Sequence, residues 1–473
     1  MPQKSLHFVA GEDFELPDLP GRALPTRSYT ETYYDTAGRR LDRAGFTLRR
    51  RVENGKGVWH LTVTSDGESA LDVEALGGPA APPAELQELL SAASAGFALT
   101  PVAKLSTRTN GKRVKRGSHT LARVQVSSVA VLEGRRVTEA FHELVLEPLA
   151  ADRKEVGRLE KALRRAGAKP GHAPPAVTRA LGSDALDESP AATPDLERLR
   201  MFFREQFARM LAHDPGVRLG EDPEELHQLR VATRRLRSLL RTASPLLEAT
   251  WAQALRDELS WLGDELGVAR DIDVLTEHLR AAAAELDPAD RRALKPLFDD
   301  LAAAGNDARN SVLETLRSER YFALLATVEG AASAPPAGDG GVSLRKAARK
   351  EFGRLAKAMD EVAAEPSDKA VHRARIKGKR ARYAAELLED ELGSTGKRLI
   401  SAAKRFQDVA GEHQDAVVAE ERIRKLLRGK RSQRAALAAG ILIARERERR
   451  ARAAAALPDA WNRLDKAAAK AWA

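Results

Sequence analysis

The chain of 473 residues contains no cysteine. Disulfides, thiolate metal sites and cysteine nucleophiles are therefore excluded, and the absence accords with a reducing compartment. Aromatic residues make up only 5% of the chain, too few for a platform on which nucleic-acid bases stack. Long hydrophobic runs are missing too. The longest, Ala435 to Ala444, is too short to span a bilayer and runs straight into Arg-Glu-Arg-Glu-Arg-Arg. The opening segment, Met1 to Pro20, has no apolar core of signal-peptide length. These absences predict a cytoplasmic protein with no membrane partner. Acids are in deficit: 68 Asp and Glu stand against 78 Lys and Arg, a net charge of +10. Such a surplus suits an anionic partner, and the length requires more than one core.

What is present changes texture along the chain. Short alternating segments come first, among them Thr30 to Asp35, Phe46 to Val52 and Val58 to Val63, with a hairpin signal at Glu53-Asn54-Gly55. Thr120 to Leu132 and Glu139 to Leu149 read as later strands, and Glu155 to Gly167 as a short helix. A small, acidic, proline-containing stretch follows, Gly182 to Asp195. Beyond it apolar residues recur at helical intervals in a background of alanine and arginine. Ala331 to Ser343, rich in Pro and Gly, breaks this helical half. The expected organisation is an α+β domain built on an antiparallel β tunnel or barrel over 1–181, a linker over 182–194, and an all-α region over 195–473 in two parts, 195–330 and 343–473.

One segment of the helical half, His227 to Arg237, reads His-Gln-Leu-Arg-Val-Ala-Thr-Arg-Arg-Leu-Arg. On a helix His227, Arg230, Arg234, Arg237 and Arg241 share a sector of roughly 80°, opposite Leu229, Leu236 and Leu240. A solvated face usually mixes signs so that neighbours neutralise each other. This stripe holds no acid. It is either a wet face or the bed of an anion.

The stripe occurs twice. His227, Arg230, Val231, Arg234, Arg235 and Arg237 match His372, Arg375, Ile376, Lys379, Arg380 and Arg382, each 145 residues further on. Asp264, Gly267 and Asp271 match Asp408, Gly411 and Asp415 at an offset of 144. Two unrelated surfaces would not share that order, so internal duplication is expected. Two such units packed about a pseudo-two-fold axis would turn both stripes into one groove. Arginine suits phosphate there because its planar fork bonds two oxygens and keeps its charge. Asp271 and Asp273 resemble metal ligands, but a role in capping or in pairing with arginines is the expectation.

This doubled pattern resembles the CHAD domain, the conserved histidine α-helical domain. The resemblance implies two four-helix halves around a basic cavity that binds inorganic polyphosphate. Carried over by position, the binding residues are His227, Arg230, Arg234, Arg235 and Arg237, then His372, Arg375, Lys379, Arg380 and Arg382. Arg241, Lys377 and Arg405 join them by neighbourhood.

The N-terminal stretch Tyr33 to Arg51, with Val58 to Val63, resembles the CYTH fold of adenylate cyclases and triphosphatases. That fold is a strand tunnel in which basic residues grip a triphosphate and glutamates hold divalent metals. The family opens with Glu-x-Glu-x-Lys, where this chain has Gln3 to His7. Val145 stands where a further acid would complete a metal pair. What the resemblance leaves is a relic tunnel of Arg49, Arg51, Arg108, Glu143 and Glu147, with Asp72 and Glu74 as the other clustered acids.

The leading expectation is a non-enzymatic protein that binds inorganic polyphosphate, in the cytoplasm at polyphosphate granules, with no cofactor, no bound metal and no catalytic residue. A metal-dependent inorganic triphosphatase working through the tunnel is the alternative. Nucleic acid ranks last as a partner, since no base-reading motif is present.

Overall fold

The computed structural model describes residues 5–65, 68–171, 193–338, 342–428 and 432–473. The chain divides into two compact units, Met1–Glu188 and Ser189–Ala473. The expected linker over 182–194 lies outside the described residues except at its end, where the Thr193 hydroxyl caps the first helix of the second unit and Pro194 opens it.

The first unit is one antiparallel sheet of ten strands. In chain order they are β1 (Leu6–Ala10), β2 (Gly21–Ala23), β3 (Arg27–Asp35), β4 (Phe46–Glu53), β5 (Lys56–Ser65), β6 (Glu68–Leu76), β7 (Thr100–Arg116), β8 (His119–Glu133), β9 (Arg136–Pro148) and β10 (Lys169–Pro170). Their path runs β10-β1-β9-β8-β7-β3-β4-β5-β6, with β2 beside β7. The β4–β5 hairpin turns at Asn54 and Gly55, φ 51° and 77°, the left-handed pair that a two-residue loop demands. Helices α1 (Arg40–Arg43), α2 (Ala84–Leu89) and α3 (Ser91–Ser94) fill connections between strands, and the sequence pattern signalled none of them. Helix α4 (Arg153–Arg165) begins at a capping box between Asp152 and Glu155. It lays Val156, Leu159 and Leu163 against Phe8, Val124, Leu144 and Leu146 on one face of the sheet. The other face is concave: residues of β1, β9, β8, β7, β3 and β4 line one hollow of about 370 Å³.

The second unit is helical. Its helices are α5 (Pro194–Leu219), α6 (Pro223–Thr242), α7 (Ala249–Ala284), α8 (Pro288–Ala293), α9 (Lys295–Arg317), α10 (Glu319–Ser333), α11 (Leu344–Ala364), α12 (Asp368–Glu386), α13 (Glu389–Leu426) and α14 (Gln433–Ala471). Helix α10 continues through Ser333, so the break expected from Ala331 starts three residues later than composition suggests; alanine and serine are compatible with a last helical turn. α6 packs on α5 and α7, and α12 packs on α11 and α13; α6 and α12 also touch each other. Leu275, Leu279, Leu297 and Leu301 meet Ile423 and Leu442, which joins the far ends of α7, α9, α13 and α14 in one core.

Candidate anion-binding cleft

Helix α6 is started by Asp222, whose carboxylate accepts from the Glu224 amide, followed by Pro223 in the first turn. Leu226, Leu229, Leu236 and Leu239 are buried, which leaves the arginines on the remaining face. Helix α12 is capped by Ser367 and buries small residues, Ala374, Gly378 and Ala381 among them. A Cβ on Gly378 would sit 2.7 Å from Phe406 of α13, and Gln407 donates to the Gly378 carbonyl at 3.0 Å. Close packing of α12 on α13 thus depends on that glycine.

Between α6, α7 and α12 lies a cleft of about 450 Å³. Arg230, Arg234, Arg237 and Arg241 enter it from α6, Lys379 and Arg380 from α12, and Arg256 from α7. Asp257 and Asp264 are the only acids lining it among the described residues. Arg234 Nε donates to the Tyr383 hydroxyl at 3.0 Å across the α6–α12 interface, and Arg237 donates to Ser260 at 3.0 Å.

Burial and the crowding of charge shift the pKa values of the basic groups. Burial, helped by Arg375, Arg234 and Arg230, pushes Lys379 down to about 7, with Asp415 pulling the other way. Arg375 is lowered by burial, with Arg234 and Arg230 adding to it against Asp415 and Asp271. Arg380 is lowered by burial and by Arg241, and Lys377 by burial and by Arg380. His227 is lowered by burial, then by Arg270, Arg234 and Arg230. In each of these groups burial is the main cause of the lowering, and neighbouring cations add to it.

Two carboxylates relieve part of the repulsion. Asp271 accepts from Arg230 at 2.8 Å, and its sequence match Asp415 pairs with Arg375 at 3.4 Å. Gly267 and Gly411 stand beside the same two arginines; a Cβ on Gly267 would reach 3.3 Å from the Arg230 guanidinium. Asp273 lies 3.7 Å from Arg309. The repeated residues Asp271 and Asp415, with Gly267 and Gly411, therefore sit beside arginines.

The structure gathers most of the sequence-derived residues and separates a few. Arg230, Arg234, Arg237, Arg241, Lys379 and Arg380 line the cleft. His227, Arg375 and Lys377 are near enough to feel its charges, and His372 Nδ1 lies 2.8 Å from the Gln414 side-chain oxygen. Arg235 and Arg382 are absent from the cleft lining: both hold Glu386, at 2.6 and 3.1 Å, and Arg235 also lies over Phe202. One residue along a helix turns a side chain by about 100°, enough to carry Arg235 away from Arg234. Arg405 lines a different hollow, between α13 and α14, because Phe406 and Gln407 are the residues α13 turns toward α12. Arg256 and Ser260 were not signalled by the sequence. Tyr383 directly follows the second stripe, and Asp264 stands within the repeat.

In the first unit, Arg49 and Arg51 line the concave hollow with Tyr29, Glu31, Tyr33, Ser127, Glu143, Val145 and His7. Arg49 pairs with Glu31 at 3.3 Å, while Arg51 pairs with Glu53 at 3.3 Å and stacks 3.5 Å over Tyr29. Arg108 is exposed on the opposite face, since strand alternation gives the inward place to Thr107. Glu147 is not in the hollow lining and pairs with Arg123 at 3.3 Å. Glu74 lies 3.2 Å from His60, and Asp72 accepts from Thr62. Gln3 lies outside the described residues.

Comparison with known proteins gives two family matches: a CYTH domain over residues 9–162 and a CHAD domain over residues 202–424. The uncharacterized protein Rv2226 of Mycobacterium tuberculosis H37Rv is 30% identical over 488 residues, covering 94% of this chain and 92% of that protein. Its counterpart MT2285 in strain CDC 1551 matches to the same extent. Among solved structures, PptA from Streptomyces chartreusis is 25% identical with a TM-score of 0.48, over 57% of this chain and all of that one. The CHAD domain from the plant Ricinus communis is 28% identical with a TM-score of 0.46, over 60% of this chain and 94% of that one.

Proposed function

The chain belongs to the family of proteins that join a CYTH domain to a CHAD domain, and on that premise we propose that its helical unit binds inorganic polyphosphate in the cleft between α6, α7 and α12. One observation carries the reading: the cationic side chains of two matched stripes, Arg230, Arg234, Arg237 and Arg241 on one and Lys379 and Arg380 on the other, converge on a single hollow. From Arg230 to Arg241 the α6 stripe extends about 16 Å, room for several phosphate units in line.

The parts act as follows. The guanidiniums offer paired N–H donors to successive phosphates, and Lys379 takes up a proton as negative charge arrives. Arg230 and Arg375 exchange Asp271 and Asp415 for phosphate oxygens. Arg235 acts on geometry, tying α6 to α12 through Glu386, which Arg382 on α12 itself also holds. Among the described residues no helix is long and apolar enough to cross a membrane. Residence at polyphosphate granules belongs to the same proposal.

The first unit is read as a tunnel that does not hydrolyse triphosphate. Its residues do not fit a divalent metal: Arg49 and Arg51 already hold Glu31 and Glu53, and Val145 occupies the lining beside Glu143. Among the described residues no group of three or more His, Asp and Glu is placed to hold a metal ion. Tripolyphosphate with Mg²⁺ or Mn²⁺ is expected to give no phosphate above background; release that disappears on Glu143→Gln would overturn this part.

The binding claim is tested by charge reversal. Arg230→Glu, Arg234→Glu and Arg375→Glu together should abolish polyphosphate binding in a titration while far-ultraviolet circular dichroism stays helical. Tight binding by the folded triple variant would refute it.

A further inference from the structure

A second basic hollow lies on the other side of α13. It measures about 710 Å³ and is walled by Lys397, Arg398 and Arg405 of α13 and Arg463 of α14, over a floor of alanine and valine. The three cations of α13 are spread along about 12 Å of helix. Asp408 and Asp459 also line it, so positive charge is in excess.

Two features separate this hollow from an ordinary solvated face. The first is its lack of ion pairs. Elsewhere in the unit several exposed arginines hold carboxylates: Arg320 holds Glu258 at 2.7 Å, Arg447 holds Glu420 at 2.8 Å, and Arg434 holds Asp290 at 2.6 Å. Among the described residues Lys397, Arg398, Arg405 and Arg463 make no ion pair, not even with the two aspartates beside them.

The second is the comparison with the matching stretch of α7. At the offset of 144 residues, Arg405 corresponds to Trp261, Ala402 to Glu258 and Val409 to Glu265. There Arg320 pairs with Glu258 and covers Trp261 at 4.0 Å, a closed and neutralised surface. The copies agree in their Arg–Asp pairs and differ here, where one is capped and the other is open and basic.

We infer that the α13–α14 hollow is a second contact for the phosphate polymer, holding a stretch of chain that extends beyond the central cleft. The inference rests on the polyphosphate reading. Nucleic acid fits less well, because no aromatic side chain lines the hollow. Trp461, next to the lining residue Ala460, is turned inward onto Phe352 and Phe406 at ring separations of 5.8 and 6.2 Å.

The full chain is compared with its Arg405→Glu/Arg463→Glu variant, in titrations with long-chain polyphosphate and with tripolyphosphate. Both positions are exposed, so the variant is expected to keep its fold, with circular dichroism as the check. The double reversal should weaken long-chain binding about tenfold, lower the salt slope by about 1.4 for two lost contacts, and leave tripolyphosphate affinity unchanged. Unchanged long-chain affinity, or an equal loss for both ligands, would overturn the inference. A loss confined to duplex DNA would assign the hollow to another partner and overturn it as well. If the unaltered chain fails to bind polyphosphate at all, the functional reading itself falls, a result distinct from the others.

Discussion

Lys379 is the residue in which the cleft's electrostatics are most concentrated. Its folded pKa is about 7, below the ordinary lysine value of 10.5. Between those values the unfolded chain binds the extra proton and the folded one does not, so empty protein gains stability as pH rises from about 7 toward 10.5. A bound phosphate reverses the preference and restores the charge. Affinity should therefore fall about tenfold between pH 6 and 8, with proton uptake on binding measurable by calorimetry in buffers of different ionisation enthalpy. Lys379→Met should remove the uptake. The repeat singled out Lys379 and its match Arg234, and both line the cleft. Burial was not legible, because it depends on how closely α12 approaches α13 over Gly378. Nor could Arg235 be told from Arg234, since Glu386 comes from another helix.

At the scale of elements, periodicity was a sound guide wherever one face is apolar. The α4 stripe, the β4–β5 hairpin and the paired strands β8 and β9 all follow from local pattern and turn chemistry. Helices α1 to α3 escaped it because each spans only four to six residues, too few for a period to register. Arg108 shows the opposite lesson: alternation assigns a face only once the neighbouring strand's register is known, and β7 pairs Thr107 with Tyr29 on the concave side. Helix α4 offers the clearest energetic test. Leu163 is fully buried under it, so Leu163→Ala should cost about 2–5 kcal/mol, seen as earlier melting of the first unit. Asp152→Ala, which removes the capping box, should cost about 1 kcal/mol in the same assay.

For the whole molecule, composition shows a surplus of positive charge but not where it lies. Seven cations of the central cleft come from three helices, and Arg256 of α7 carries no signal in any repeat. The tunnel arginines, conversely, looked available in sequence and are engaged by Glu31 and Glu53 in the fold. The two units should accordingly respond differently to salt. Binding through six or seven phosphate contacts should show a log–log salt slope of about −4 to −5, measured with the full chain. Charge reversal of Arg49 and Arg51 should leave that slope unchanged.

Asp271 and Asp415 give Arg230 and Arg375 carboxylate partners of their own. Arg230 and Arg375 always have a negative group within reach, whether from the protein or from the ligand. On the proposed polyphosphate reading, a phosphate unit could leave one arginine without exposing a bare guanidinium, and the polymer would then slide unit by unit rather than dissociate all at once. Substituting asparagine for both aspartates should convert a sliding track into a clamp, with slower release of long chains as its kinetic mark.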